Sequence, residues 1–322
     1  MIEINANNIA DSMSALKLQL ESILDLFDAK SRIFYIDYPV HTNIGDLLIN
    51  VATEQFFLDN KVSVHQRYST LNAFALSHLK ADENTTFLCH GGGNFGDLYP
   101  DHQNVREWLI EKFPRSRIIF LPQSLYYSSE YEQRKSLEKI AAHPNCHILV
   151  RDRESLDTLR RFHINKCSMM PDMAHWLWGY LKPTSQSEHG NDIYFLRQDK
   201  EAMPVPAELM KKFEEGSVDW KNIISGPHRV LGMATYFFLK TEKGTFSPGL
   251  SASMWYSVRD IMINDAVTYF SKHDHIYTNR LHAMLLALLL KHDVTAFDNS
   301  YGKVSRYLNA WFPANVKLDT FN

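Results

Sequence analysis

Short apolar runs alternate with longer stretches of helical period through the first half of the chain. RIFYID at 32–37 is β-rich, and GDLLINVATEQFFLD after it repeats apolar positions at helix spacing. VSVHQRY and TTFLCH predict the next two strands; a glycine-rich turn follows, and then a helix over NVREWLIEKF. RIIFLPQS at 117–124 predicts a strand stopped by its proline, SSEYEQRKSLEKIAAH a charged helix, CHILVRD a strand and ESLDTLRRF a helix. Repeated strand–helix–strand units predict a mostly parallel sheet with helices on both faces. Upstream of them, Leu16, Leu18, Leu20, Ile23, Leu24 and Phe27 predict an amphipathic helix.

LKPTSQSEHGND at 181–192 is polar, holds proline and glycine, and marks a linker. Beyond it IYFLRQD opens a second set of elements, while 226–249 has no clear period and reads as irregular. A long helix over about 253–270, the strand HIYT, the helix NRLHAMLLALLLKH and the strand VTAF complete the pattern. The apolar run AMLLALLL at 283–290 is too short to span a bilayer and reads as a buried helix. The expectation is an α/β chain of two domains, 1–183 and 190–322, with a central cleft where ligands meet the carboxyl ends of the strands.

Composition narrows the function classes. Apolar residues at 45% and aromatics at 12% suffice for real cores, and a net charge of −3 gives no global argument for binding nucleic acid. Three cysteines without C-x-x-C spacing suggest neither a disulfide framework nor a zinc site. The polar, acidic first residues lack the form of a signal peptide, so a cytoplasmic, soluble protein is expected.

The glycine-rich turn, LCHGGGNFGDLYP at 88–100, contains the spacing G-x-G-x-x-G at Gly91, Gly93 and Gly96. A dinucleotide site needs an acid at the end of the next strand for the ribose, yet that strand ends in Pro122, Gln123 and Ser124. No Lys-Ser/Thr follows, which excludes a Walker loop. What remains is a tight strand-to-helix turn, or a cleft-lining one that lets a ligand approach where Gly91, Gly92 and Gly93 are bare of side chains, with His90, Asn94 and Asp97 beside it.

Other strand ends carry charge. In YTNRLHA, Thr278 or Asn279 can cap a helix that begins with Arg280 and carries His282 in its first turn, a candidate phosphate or carboxylate site. HTNIGD repeats the design with His41, Asn43, Gly45 and Asp46, where helix capping alone would also explain the residues. VRDRES offers Arg151 and Arg153, with surface salt bridges to Asp152, Glu154 or Asp157 as the plainer role, and FLRQD offers Arg197. PDMAHWLW adds Asp172 and His175. No H-E-x-x-H, metal-spaced carboxylate pair or G-x-S-x-G occurs, so no metal is expected.

Taken in order, N-x-G-D at 43–46, HGGGNFGDLY, PQS at 122–124, VRDRES, Pro171–Asp172, FLRQD and TNRLHA resemble the polysaccharide pyruvyl transferase family. The resemblance implies a GT-B-like fold of two Rossmann-like domains, the last helix packing back on the first. It implies transfer of the enolpyruvyl carbons of phosphoenolpyruvate onto two hydroxyls of a sugar or lipid-linked oligosaccharide, forming a cyclic ketal and releasing phosphate. No cofactor beyond that donor is implied. Arg280, Leu281 and His282 match the family's donor site, and a further donor arginine falls on Arg151 or Arg153. His282 is the candidate acid for the methylene carbon, and His41, Asp97 and His90 are candidates for the base. Asn43, Gly45, Asp46, Gln123, Ser124, Arg197 and Asn279 complete the expected contacts. Work at the inner membrane face, beside the polysaccharide assembly machinery, follows from the implied product. The competing readings are a sialyltransferase-like nucleotide-sugar glycosyltransferase, for which no base-reading pattern is visible, and a silent glycan-binding homologue, against which Arg280 and His282 argue.

Overall fold

The computed structural model describes residues 2–28, 30–184, 192–197, 216–241, 247–298, 302–312 and 317–318. The predicted linker falls mostly outside them. Two sheets organise the described chain. The first is wholly parallel and uses β2 (Arg32–Ile36), β3 (Val64–Tyr68), β4 (Thr85–Cys89), β5 (Gly92–Gly96), β6 (Arg117–Tyr126), β7 (Cys146–Val150) and β8 (Cys167–Met169). Its order is β3-β2-β4-β6-β7-β8, with β5 also pairing β6. The linking helices are α2 (Ile44–Asp59), α3 (Ala73–Ser77), α4 (Pro100–Lys112), α5 (Glu130–Ala141) and α6 (Arg153–Arg161), preceded by α1 (Ala10–Gln19).

The second sheet runs β12 (Lys317–Leu318), β1 (Ile2–Ile4), β11 (Asp293–Ala296), β10 (His275–Thr278), β9 (Asp192–Phe195). Strands β9, β10 and β11 are parallel, and β1 is antiparallel to its neighbours. Its helices are α7 (Trp220–Ile223), α8 (Gly226–Thr241), α9 (Pro248–Phe270), α10 (Leu281–Leu289) and α11 (Lys303–Trp311). The chain start thus hydrogen-bonds into the C-terminal sheet, a departure from a division that assigns 1–183 to one domain.

Strand residues alternate between two cores, as period-2 geometry requires. Ile33, Tyr35, Leu88, Ile119, Leu121 and Leu149 face one apolar cluster. Phe34, Ile36, Phe87, Cys89, Phe120 and Ile148 face the other, under α4, α5 and α6. The first cluster continues without a break through α2, α9 and α10 into Ile276 and Val294 of the second sheet. Both faces being buried explains why these strands read as near-continuous apolar runs. Among the described residues no helix is long and apolar enough to cross a membrane.

Three local expectations are corrected. Pro122 does not stop β6; it sits where the pairing with β7 shifts register between Phe120 and Gln123, and where β6 exchanges β4 for β5 as neighbour. A residue without an N–H is tolerated at such an irregularity. The glycine turn is largely a strand, β5: a Cβ on Gly96 would lie 1.7 Å from the Tyr126 carbonyl oxygen, and one on Gly91 2.9 Å from that of Pro122. Those two glycines therefore serve backbone packing. Finally, 226–241 is a helix rather than irregular; only Gly232 and Leu239 of α8 are buried, so no apolar stripe announces its period.

Candidate functional site

The carboxyl ends of strands from both sheets converge on one cavity of about 380 Å³. Arg151 directly follows β7, Arg197 lies two residues past β9, and Arg280 two past β10. Lys303, the first residue of α11, adds a fourth cation on the Arg151 side: a Cβ on Gly93 would lie 3.4 Å from Arg151 Nη2 and 3.9 Å from Lys303 Nζ. The N-cap residue of α10, Arg280, makes no side-chain cap bond, and the first amides of the helix contribute further partial positive charge. The chemistry of this wall is that of an anion site: planar guanidinium forks suit phosphate and carboxylate oxygens.

Two of the guanidinium groups are held from behind by carboxylates. Arg151 is buried; it forms an ion pair with the Asp172 carboxylate through Nη1 and donates from Nη2 to Ser124 Oγ at 3.1 Å. Arg280 pairs with Asp219 at 2.6 Å. Asn279 accepts the Arg197 amide at 2.7 Å, joining the ends of β9 and β10.

Asp172 also meets His282, whose Nε2 is 3.3 Å from Asp172 Oδ2. Burial acts to raise the Asp172 carboxyl, but Arg151 and then His282 outweigh it and hold the group far below the usual carboxylate range. The carboxylate is further fixed by the Ala174 amide at 2.9 Å. Its own amide donates to Tyr307 Oη, which contacts His175 Nε2 at 2.7 Å. Gly45 makes room for His282: a Cβ there would lie 2.7 Å from His282 Nδ1.

A second carboxylate-held histidine stands on the other wall. His102 of α4 lines the cavity, with Nδ1 2.6 Å from Oδ1 of Asp37, the residue after β2. Asp37 is fully buried at φ 68°, clamped by Arg106, which donates at 3.0 Å to Oδ2 and at 2.9 Å to the Asn94 carbonyl. Burial opposes charge on His102, yet Asp37 more than offsets it and the imidazole titrates above its ordinary value. His41 is nearby, 3.6 Å from Asp46, and is lowered by burial and by His102. Burial would raise Asp46, but His41, His282, His90 and His102 together hold it low.

Residues 43–301 match the family profile described as polysaccharide pyruvyl transferase. The chain belongs to that family. It is a transferase enzyme. EpsO of Bacillus subtilis is 36% identical over 305 residues, covering 93% of this chain and 91% of EpsO. Pyruvyl transferase 1 of Schizosaccharomyces pombe is 26% identical, covering 88% of this chain and 71% of that protein. An uncharacterized Klebsiella pneumoniae protein of known crystal structure has a TM-score of 0.59 at 19% identity, covering 91% and 93% of the two chains; that likeness concerns the fold alone.

Of the residues expected at the pyruvyl transferase site, His41, Asn43, Asp46, Gly93, Asn94, Arg151, Arg197, Asn279, Arg280, Leu281 and His282 line the cavity. Others do not. Asp97 is turned away to Ser128, accepting from its amide at 2.9 Å and from its hydroxyl. His90 is sealed behind the wall against Tyr35 Oη at 2.6 Å and is lowered to about 4 by burial. Gln123 is buried and donates to the His90 carbonyl, a structural contact. Arg153 opens α6 and lines a separate hollow with Glu154 and Arg306, so Arg151 is the arginine of the pair that faces the cavity. Gly92 takes φ 121° with Asp46 beside it, while Ser124 reaches the site only through Arg151.

Sequence reasoning passed over His102, Asp37, Tyr99, Trp220, Asp219 and Lys303, all of which line or brace the site. For Asp37 the available signal was an acid at a strand end, RIFYID, of the same kind as VRD.

Proposed function

We propose that the chain transfers the enolpyruvyl group of phosphoenolpyruvate onto two hydroxyls of a sugar in a polysaccharide or its precursor, forming a cyclic ketal. The observation that carries this reading is the convergence of Arg151, Arg197, Arg280 and Lys303 on a cavity that also holds the Asp172-held His282. The donor brings a phosphate and a carboxylate, and guanidinium forks with a lysine ammonium beside them suit the oxygens of both groups. His282 gives a proton to the methylene carbon, leaving C2 electron-poor. A sugar hydroxyl attacks C2 and loses its proton to His102, which Asp37 orients through Nδ1 so that Nε2 is the nitrogen left to the cavity. The C2–O bond to phosphate then breaks, the second hydroxyl closes the ketal, and its proton leaves with phosphate. His102 takes the place that Asp97 and His90 cannot fill from where they lie. In the same reading the two sheets are the Rossmann-like halves of a GT-B-like architecture, and no cofactor beyond the donor takes part.

Incubation with phosphoenolpyruvate and a panel of β-galactosides and N-acetylhexosamines should release phosphate and add the ketal mass to one acceptor. Phosphoenolpyruvate alone should raise the melting temperature, by the equivalent of about 2.7 kcal/mol at a hundredfold excess over Kd. A melting shift with UDP or CMP instead, and no phosphate release from any acceptor, would sink the proposal.

Gly45→Ala tests the His282 placement. The added methyl must displace the imidazole or α2, so turnover should fall about a hundredfold at a cost of about 1–3 kcal/mol in stability. Wild-type turnover in this variant would separate His282 from the chemistry.

A further inference from the structure

We infer that α8 (Gly226–Thr241) is a docking helix for an anionic lipid surface. Its packed edge is narrow: Gly232 and Leu239 are buried, and a Cβ on Gly232 would meet Met262 Sδ at 3.4 Å and Thr42 Cγ2 at 3.6 Å. At 100° per residue, Val230, Met233 and Phe237 project from the opposite side, with Leu231 and Phe238 on one flank. Val230 is 65% exposed, Met233 50% and Phe237 55%, and Leu231 and Phe238 are also exposed. Val230, Leu231, Met233 and Phe237, four large apolar side chains exposed on one helix, are more than scattered surface residues and mark an interaction face.

Charge selects the occupant. The chain as a whole carries a net −3, yet 226–241 contains no Asp or Glu, and its charged positions are Arg229 and Lys240, with His228 paired to Asp265 at 2.7 Å. Arg229 and Lys240 lie on the same margin of the apolar arc near opposite ends of the helix, and exposed Lys221 adds a charge just upstream. Apolar and aromatic side chains toward the acyl boundary with cations beside them is the pattern of a helix lying in the plane of an anionic membrane. At sixteen residues α8 is about 24 Å long, suited to lying in that plane. Because Thr42 also lines the cavity, docking sets the cavity wall about one helix diameter, ~10 Å, from the lipid. On the proposed activity, this brings a lipid-anchored acceptor to the site.

The full-length chain is to be floated with vesicles of phosphatidylcholine alone and of phosphatidylcholine with phosphatidylglycerol. Binding to the anionic vesicles, weakening as salt rises, is expected. Val230→Glu with Phe237→Glu should lower the bound fraction about tenfold or more at an unchanged melting temperature, since both side chains are exposed. Arg229→Glu with Lys240→Glu should erase the preference for phosphatidylglycerol. No flotation with either vesicle overturns the inference, as does undiminished flotation of the apolar double variant. A wild-type dimer in sedimentation that the same variant splits into monomers also overturns it, assigning the face to a second copy. None of these readouts needs turnover, so they stand apart from the reaction assigned above.

Discussion

His282→Ala should lower turnover by about 10²–10⁴-fold while leaving the fold and most donor affinity in place. The fold should survive because Asp172, the partner left behind, keeps Arg151 and the Ala174 amide. Donor affinity should survive because the cations around the cavity, Arg151, Arg197, Arg280 and Lys303, are untouched. Steady-state kinetics with phosphoenolpyruvate therefore should show kcat falling far more than KM rises, and phosphoenolpyruvate should still shift the melting temperature. Wild-type kcat with only an altered KM would remove His282 from the acid role and make it a binding residue. His102→Gln offers a contrasting signature. A base acts when neutral, and His102 titrates above its ordinary value, so wild-type activity should climb with pH through that raised value. The variant should lose that ascending limb along with most of its turnover.

The parallel sheet and most of the anion wall were legible in the sequence because strand ends announce themselves. An apolar run terminated by Arg, Asn or His is a local pattern, and Arg151, Arg197, Arg280 and His282 all sit in one. The bracing residues are a different case. Asp37 contacts Arg106 and His102, 69 and 65 residues away, and His282 meets Asp172 across 110. No spacing rule connects such pairs; only the folded sheets do. His102 was hidden for a further reason: it lies in the first turn of α4, whose sequence PDHQNVREWLIEK reads as an ordinary polar helix start. Asp97 misled in the opposite way, since proximity to three glycines gave it a cleft position that its turn toward Ser128 denies. Helix α8 escaped notice because its packed side carries Gly232 and Leu239 with half-buried His228 and Thr235, while large apolar residues stand on its exposed side, so the contrast on which period-finding depends is missing.

Asp37→Ala should cost about 3–5 kcal/mol of stability, the range for breaking a buried ion pair from one side. Arg106 is fully buried and would keep its charge with only Asn94 to receive it. Alanine is also a poor occupant of the left-handed backbone at φ 68°, a conformation that Asp and Asn tolerate better. Asp37→Asn should therefore lose less, and comparing the two variants separates the backbone contribution from the charge. The pH dependence follows from the two shifts. Asp37 is held below its usual 3.8 because His102 and Arg106 outweigh the effect of burial, so its stabilisation is present above that value and disappears as pH falls through the native one. His102 is raised above 6.5, so its share is fully present below 6.5 and disappears as pH rises through the native value. The gap between wild type and Asp37→Ala, measured by urea unfolding, should thus be widest between about 3.8 and 6.5. On the acid side it should close as Asp37 protonates. On the alkaline side it should only narrow, because Arg106 never loses its charge. A gap that kept one size from below the native Asp37 value to above the native His102 value would mean that Asp37 stabilises the strand end by backbone conformation alone, and that the pairing which orients His102 contributes nothing to the fold.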